Sequence, residues 1–468
     1  LTQALLILGV SLFLLSIAIA KGFASDKAKF LVADRKLGLW ETSLSVAASW
    51  IWAPSLFVSA EKAYVDGIIG VFWFIVPNVL CLILFAYAAT RARRMSPEGY
   101  TLSDFIRERQ SSRVQRLYWV TLTGLAVCAF AVQLLAGGKL LAGVMGMSYF
   151  WATVTLAAIP LSYSMLFGLK ATVATDLAKL LFIYGLGAII IPAVWSKGGG
   201  WPAFTAGLGG ASGVSDFWSQ ESWRIFLSFG LPTTIGLLSG PFGDQTFWQR
   251  AFAVKQEHVK SAFVRAALLF AIVPVMMSVL GFIARGAALD ITEPQLVNLQ
   301  AVKALLPPVA SFALVLLILA GLVSILDSKM AAMASIGGHD FANFIFGGKS
   351  APFAKVMLSS RLSMVGLTVV ALALAQIPNL KIVHLFLFYG TLRSATLLPT
   401  VFTLWRVKMP EPGVFYGILG SILLGLPVFA YGNFWGKPLW VVAGSLLTVS
   451  GPGLLILIMR IESRRHSR

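Results

Sequence analysis

Residues 230 to 244 read Gly230-Leu231-Pro232-Thr233-Thr234-Ile235-Gly236-Leu237-Leu238-Ser239-Gly240-Pro241-Phe242-Gly243-Asp244. The stretch is apolar enough for a membrane, but it can hardly remain one unbroken helix. Each proline removes a backbone donor, and each glycine weakens the turn around it. A second stretch has the same character: Ser45-Val46-Ala47-Ala48-Ser49-Trp50-Ile51-Trp52-Ala53-Pro54-Ser55 places a proline and small residues near the middle of an apolar run. Two readings fit both segments. They are either ordinary kinks tolerated by neighbouring helices or true discontinuities, whose freed carbonyls could hold a cation and whose freed N–H groups could meet a solute.

Composition supports a membrane setting for both. Of 468 residues, 58% are hydrophobic and 12% charged, against about a quarter charged in a soluble globular protein. Apolar runs fall near 1–21, 40–60, 67–90, 115–138, 148–167, 173–195, 223–247, 262–284, 308–336, 354–377, 382–405, 412–432 and 438–459, which predicts thirteen spans of roughly 20 residues. The broken segments are then the second and seventh spans, five apart, as in an inverted repeat of five plus five helices whose first members are both discontinuous. The fold class expected is an all-α polytopic transporter in a single transmembrane domain. Residues 1–39 form an extra N-terminal helix and loop, 40–405 the core, and 406–468 extra C-terminal helices.

The net charge of +18 suggests a polyanionic partner until it is sorted by loop. With thirteen spans, 26 Lys and Arg fall on one face, 8 on the other, and Lys179, Lys329 and Arg393 inside spans. That split places the N-terminus outside and the C-terminus in the cytoplasm of a cell membrane, and no nucleic acid is needed to account for the charge. The first apolar run lacks the features of a cleaved signal. Cys81 and Cys128 lie in apolar runs and suit neither a disulfide framework nor a thiolate metal site. The four histidines are scattered, with no HExxH, GxSxG or phosphate-loop pattern, so an enzyme is not expected.

An ionisable residue inside a span needs a reason. Asp176 and Lys179 lie about one turn apart in the sixth span and suit either a structural pair or an ion path. Asp327 follows Ser324 by three residues in the ninth, so both share a helical face that could bind a cation. Arg393, near the middle of the eleventh, must pair with an internal acid such as Asp327, reach water, or grip an anionic or strongly polar solute. Ser49, Trp50, Trp52, Trp73, Gln133 and Phe242 are the remaining candidates to line a solute site.

Three motifs together give the chain a resemblance: Gly168-Leu169-Lys170 followed by Thr175-Asp176, Asp244-Gln245-Thr246-Phe247-Trp248-Gln249-Arg250, and Ser324-Ile325-Leu326-Asp327-Ser328 leading to His339-Asp340-Phe341. Over nearly its whole length the chain resembles the sodium:solute symporter family. Ser49 to Ala53, Gly67-Ile68 through Phe72-Trp73-Phe74, and the stretch from Asp244 to Ala251 look most like its urea transporter branch. The resemblance implies a ten-helix inverted-repeat core and a sodium site formed by the carbonyls of Ala48, Ile51 and Gly321 and the hydroxyl of Ser324. Where the family has a second hydroxyl, this chain has Ile325. Gly240 stands in place of the sugar carriers' inner-gate tyrosine, and Phe72-Trp73-Phe74 where those carriers have an acid, so a sugar is not the expected solute.

The function expected is secondary uptake, coupled to Na+, of a small polar solute: a urea-like amide, a small carboxylate or an amino acid. A proton-coupled carrier using Asp176 or Asp327 is one alternative. A transporter-like solute sensor is another, less favoured because the chain stops soon after its last span.

Overall fold

The computed structural model describes residues 26–346, 351–378, 380 and 382–466. Helices dominate them, and the one β-type contact is an isolated parallel bridge between Leu37 and Val254. The run opens with α1 (Lys27–Val32) and α2 (Leu39–Trp50). Next come α3 (Val58–Val65), α4 (Gly67–Met95), α5 (Ser112–Met145) and α6 (Tyr149–Lys197). The second half holds α7 (Leu231–Leu238), α8 (Gln245–Ala253), α9 (Val259–Gly286), α10 (Pro308–Ser335) and α11 (Phe353–Ala375). It ends with α12 (Ile382–Ser394), α13 (Leu397–Leu404), α14 (Glu411–Gly420) and α15 (Pro438–His466).

Both predicted breaks are real. α2 stops where Ile51 takes φ −83°, ψ 82° and Trp52 becomes extended, and the chain restarts with Pro54 in the first turn of the short helix Ala53–Leu56, where a missing N–H does no harm. At the second break α7 gives way to one 3₁₀ turn, Pro241–Gly243, then extended Asp244. The Asp244 carboxylate caps α8 by accepting from Thr246 N at 3.0 Å. Gly236 and Gly390 let α7 and α12 cross closely, since a methyl on Gly236 would lie 3.1 Å from Gly390 Cα.

The count of thirteen spans is not confirmed. Among the described residues, eight helices are long and apolar enough to cross a membrane. Expected span 1–21 lies outside the described residues. Those at 40–60 and 223–247 are divided by their breaks, and the one at 382–405 is divided between α12 and α13. Those at 148–167 and 173–195 merge into α6, which bends at Gly168. Gly168 has φ +65°, and a methyl there would come 2.4 Å from Phe30 O, so glycine is required for both conformation and space.

α10 sits at the centre, against α5 and α6 on one side and α2 and α8 on another. Its residues from Leu314 to Ser335 are nearly all buried, including Ser324, Asp327, Ser328 and Lys329. At one end of the bundle α1 folds across the core, where Gln249 Nε2 donates to Leu31 O at 2.7 Å.

Candidate functional site

The two breaks face each other: a methyl built on Gly240 would come 2.5 Å from the far edge of the Trp50 ring and 3.1 Å from Arg393 Nη1. α12 brings Arg393 between them. Its guanidinium lies 4.5 Å from the centre of the Tyr389 ring, 5.5 Å from that of Trp50 and 5.9 Å from that of Trp52. Nε donates to Gly236 O at 2.6 Å, whereas Nη1 and Nη2 make no hydrogen bond among the described residues, and neither does Trp50 Nε1. Arg393 has no solvent exposure, and Trp50, Trp52 and Tyr389 have at most 3%. Quadrupolar ring faces thus stabilise a cation that forms no ion pair among the described residues.

Tyr389 is held in turn by a second polar group. Its hydroxyl donates to Asp244 Oδ2 at 2.7 Å, and the Lys329 ammonium pairs with the same carboxylate. The cap of α8 is therefore tied to α10 and α12 at one atom.

A third group surrounds Asp176. Ser324 Oγ donates to its Oδ1 at 2.5 Å, and Ser45 Oγ donates to its Oδ2 at 2.7 Å. Arg250 reaches the same Oδ2 at 3.0 Å, Ser45 Oγ at 2.9 Å and Ser328 Oγ at 2.8 Å. Close by, the Lys179 ammonium pairs with Asp327 Oδ2, which also accepts from Tyr163 at 2.7 Å and Thr175 at 3.2 Å. Two acids and two bases balance, and the side chains of Asp176, Asp327, Lys179 and Arg250 are at most 1% exposed.

The candidates read from sequence fall into separate groups. Trp50, Trp52 and Arg393 come together. Arg393 does not pair with Asp327, whose partner is Lys179. The i, i+3 pair of Asp176 and Lys179 is stretched to 4.0 Å because each finds a nearer partner across the bundle. Ser49 joins the Asp176 group, 2.9 Å from Ser328 Oγ. Both ends of the Gln133 amide are engaged: Oε1 accepts from Ala53 N at 2.8 Å and Nε2 donates to Ala129 O at 3.1 Å, so it satisfies the backbone at the first break. Phe242 packs edge-on against Phe85, and Trp73 lies edge-on to Phe72 and tilted against Phe226 instead of against Trp50. Gly321 lies against the first break, where its methyl would be 3.6 Å from Ile51 O, and Ala48 O accepts from Ile51 N at 3.2 Å.

Arg250, counted from sequence among the loop charges, is fully buried. Sequence spacing gives no role to Lys329 and does not single out Tyr389. The signal for Arg250 was the break itself: a discontinuity at 239–244 leaves the next turns still inside the bundle, although their polarity reads as a loop.

Facing half-helices around a buried box, in a bundle otherwise built of apolar helices, are the arrangement of the inverted-repeat transporter fold. The chain belongs to the sodium:solute symporter family, whose model matches residues 30–421. It is 24% identical over 323 residues to a probable urea active transporter of Schizosaccharomyces pombe, covering 63% of this chain and 48% of the relative. With a urea-proton symporter of Oryza sativa subsp. japonica it shares 21% over 439 residues, covering 86% of this chain and 60% of the relative. The chain thus spans about half the length of the urea relatives it matches. Among solved structures, a substrate-bound, outward-open Na+-coupled sialic acid symporter superposes with a TM-score of 0.80 at 15% identity, covering 98% of this chain and 97% of that one. This likeness establishes the fold.

The sodium ligands implied by the family fit this chain poorly. Only Ser324 supplies a side-chain oxygen, Ile325 supplies none, and the Ser324 hydroxyl donates to a carboxylate that already carries Arg250.

Proposed function

We propose that the chain carries a small carboxylate-bearing solute inward by alternating access, with Arg393 as the group that holds it. The observation that carries this reading is the pair of free guanidinium nitrogens buried at the facing breaks. The unpartnered side-chain atoms of the box, Nη1 and Nη2 of Arg393 and Nε1 of Trp50, are all donors. A carboxylate only accepts and meets a guanidinium fork with two parallel bonds. Urea also accepts through its carbonyl, but its own N–H groups would need acceptors. Closeness of Gly240 to Trp50 and Arg393 keeps the solute small.

Trp50, Trp52 and Tyr389 wall the solute and orient the guanidinium, while Asp244 and Lys329 fix Tyr389. Ser49 and Ser328 join the box to the Asp176 group through α2 and α10. Phe242 supports the second break from outside the box. Binding of the solute and of the driving ion would be reciprocal, each tightening the other. The orientation expected from the loop charges, with the C-terminus in the cytoplasm of a cell membrane, makes transport with the cation gradient an uptake.

The test is uptake into proteoliposomes of radiolabelled short carboxylates, amino acids and urea, under sodium and proton gradients imposed separately. Accumulation of a small carboxylate under one of the gradients, with urea failing to compete, is the expected result. Accumulation of urea against which carboxylates do not compete overturns the reading. Urea is the second reading, favoured by the similarity to urea transporters. The family resemblance implies sodium as driving ion, and the similarity to a urea-proton symporter supports testing the proton beside it.

A further inference from the structure

The charge balance around Ser324 differs from what a sodium-binding site needs. A sodium ion is held by several oxygens whose combined negative charge and dipoles replace its water shell. Here the two nearest acids already carry cations. Asp176 accepts from Arg250, and Asp327 from Lys179, with Ser45, Ser324, Ser328, Thr175 and Tyr163 completing the hydrogen bonds. An additional ion would bring the cluster from neutral to a single positive charge, in a region without exposed groups, where repulsion is poorly screened.

We propose that Lys179 and Arg250 are tethered cations that stand in place of the family's coupling sodium, and that Lys179 is the residue that keeps sodium out. Arg250 is fixed by α8 and makes four hydrogen bonds: to Ser45, Asp176, Ser328 and Thr246 O. Lys179 is the simpler cation to remove. Its Nζ lies among Asp327 Oδ2, Thr175 Oγ1 at 3.2 Å and Tyr163 OH at 3.4 Å, and 4.0 Å from Asp176 Oδ1. Every one of these neighbours is oxygen. Asp327 Oδ1 is buried nearby and accepts no hydrogen bond among the described residues. Removing the ammonium therefore leaves an oxygen-lined space of net negative charge, the chemistry that binds a hard monovalent cation. Lys179→Met takes away the charge while keeping a flexible apolar chain of similar length.

The proposal concerns the ion and not the solute, so its test uses sodium alone. Radioactive sodium is bound to the purified full chain in detergent at constant pH, with unlabelled sodium as competitor. Thermal unfolding is followed in parallel in sodium and in choline. The wild type is expected to show no saturable sodium binding and the same midpoint in both salts. Lys179→Met gains saturable binding at least about tenfold above the wild-type background and a higher midpoint in sodium, and adding Asp327→Asn removes both gains. Saturable binding to the wild type that Ser324→Ala abolishes overturns the proposal. So does a folded Lys179→Met protein that gains nothing. If Lys179→Met does not fold, Lys179→Gln takes its place, and the wild-type measurement decides in either case. Failure of the carboxylate reading would leave these outcomes unchanged, because no solute enters the assay.

Discussion

Arg250 and Arg393 are both fully buried arginines beside the first broken helix, yet one is surrounded by oxygens and the other by rings. Around Arg250 the donors have acceptors and the charge has Asp176 as its counter-ion. Around Arg393 one nitrogen of three has an acceptor, and the other two make no hydrogen bond among the described residues. Burying a cation is costly, and the usual remedy is the one at Arg250. Where that remedy is withheld a few residues away, the missing counter-ion is one that a solute can bring. On the proposed function, the first region serves the fold and the second a ligand.

Removing one member of the balanced region is the strongest way to break this contrast. Asp176→Asn leaves Arg250 and Lys179 facing a single acid, and loss of one partner of a buried pair costs about 3–5 kcal/mol. The unfolding midpoint in detergent should drop sharply, and Arg250→Met added to Asp176→Asn should restore most of it. If Asp176→Asn unfolds at the wild-type temperature, the pair is not structural. Arg393→Met is the matching change in the unbalanced region and should act in the opposite sense. It removes an uncompensated charge, so the midpoint should barely move, while uptake falls by roughly 100-fold as two charge-assisted hydrogen bonds to the solute are lost. A large loss of stability with normal uptake in the folded fraction would assign Arg393 to the fold instead.

Much of this contrast was legible in the sequence, though not its partners. Proline and glycine marked both breaks because their backbone chemistry acts locally. Arg393 stood out because an arginine in mid-span has few explanations. Ser324 and Asp327 were placed on one face by helical spacing alone. What spacing could not give was the neighbour across the bundle. Asp327 meets Lys179, 148 residues away, and Asp176 meets Arg250, 74 residues away, through packing that no local period encodes. The polarity of Gln245–Ala253 hid Arg250, since a hydropathy window reads a polar half-helix as a loop even when all its residues are buried. The aromatic residues misled for the reverse reason: Trp50 and Trp73 look alike in sequence, but only the first lies at a break that faces Arg393.

Gln133 gives the smallest and most discriminating test, because its amide looks like a solute contact and is used otherwise. The first break frees the Ala53 N–H in a fully buried place, and Gln133 Oε1 is the acceptor that meets it. Gln133→Met preserves bulk and removes that acceptor, leaving a buried backbone donor unsatisfied at a cost of about 1–2 kcal/mol. The expected signature is a modest fall in unfolding midpoint, with the same solute affinity per folded molecule. A solute contact would give the inverse: an unchanged midpoint and weakened affinity. The two regions can then be told apart by the same pair of measurements at three residues. Asp176 moves mostly the midpoint, Arg393 mostly the affinity, and Gln133 the midpoint by a smaller amount, since it supports the backbone on which both regions stand.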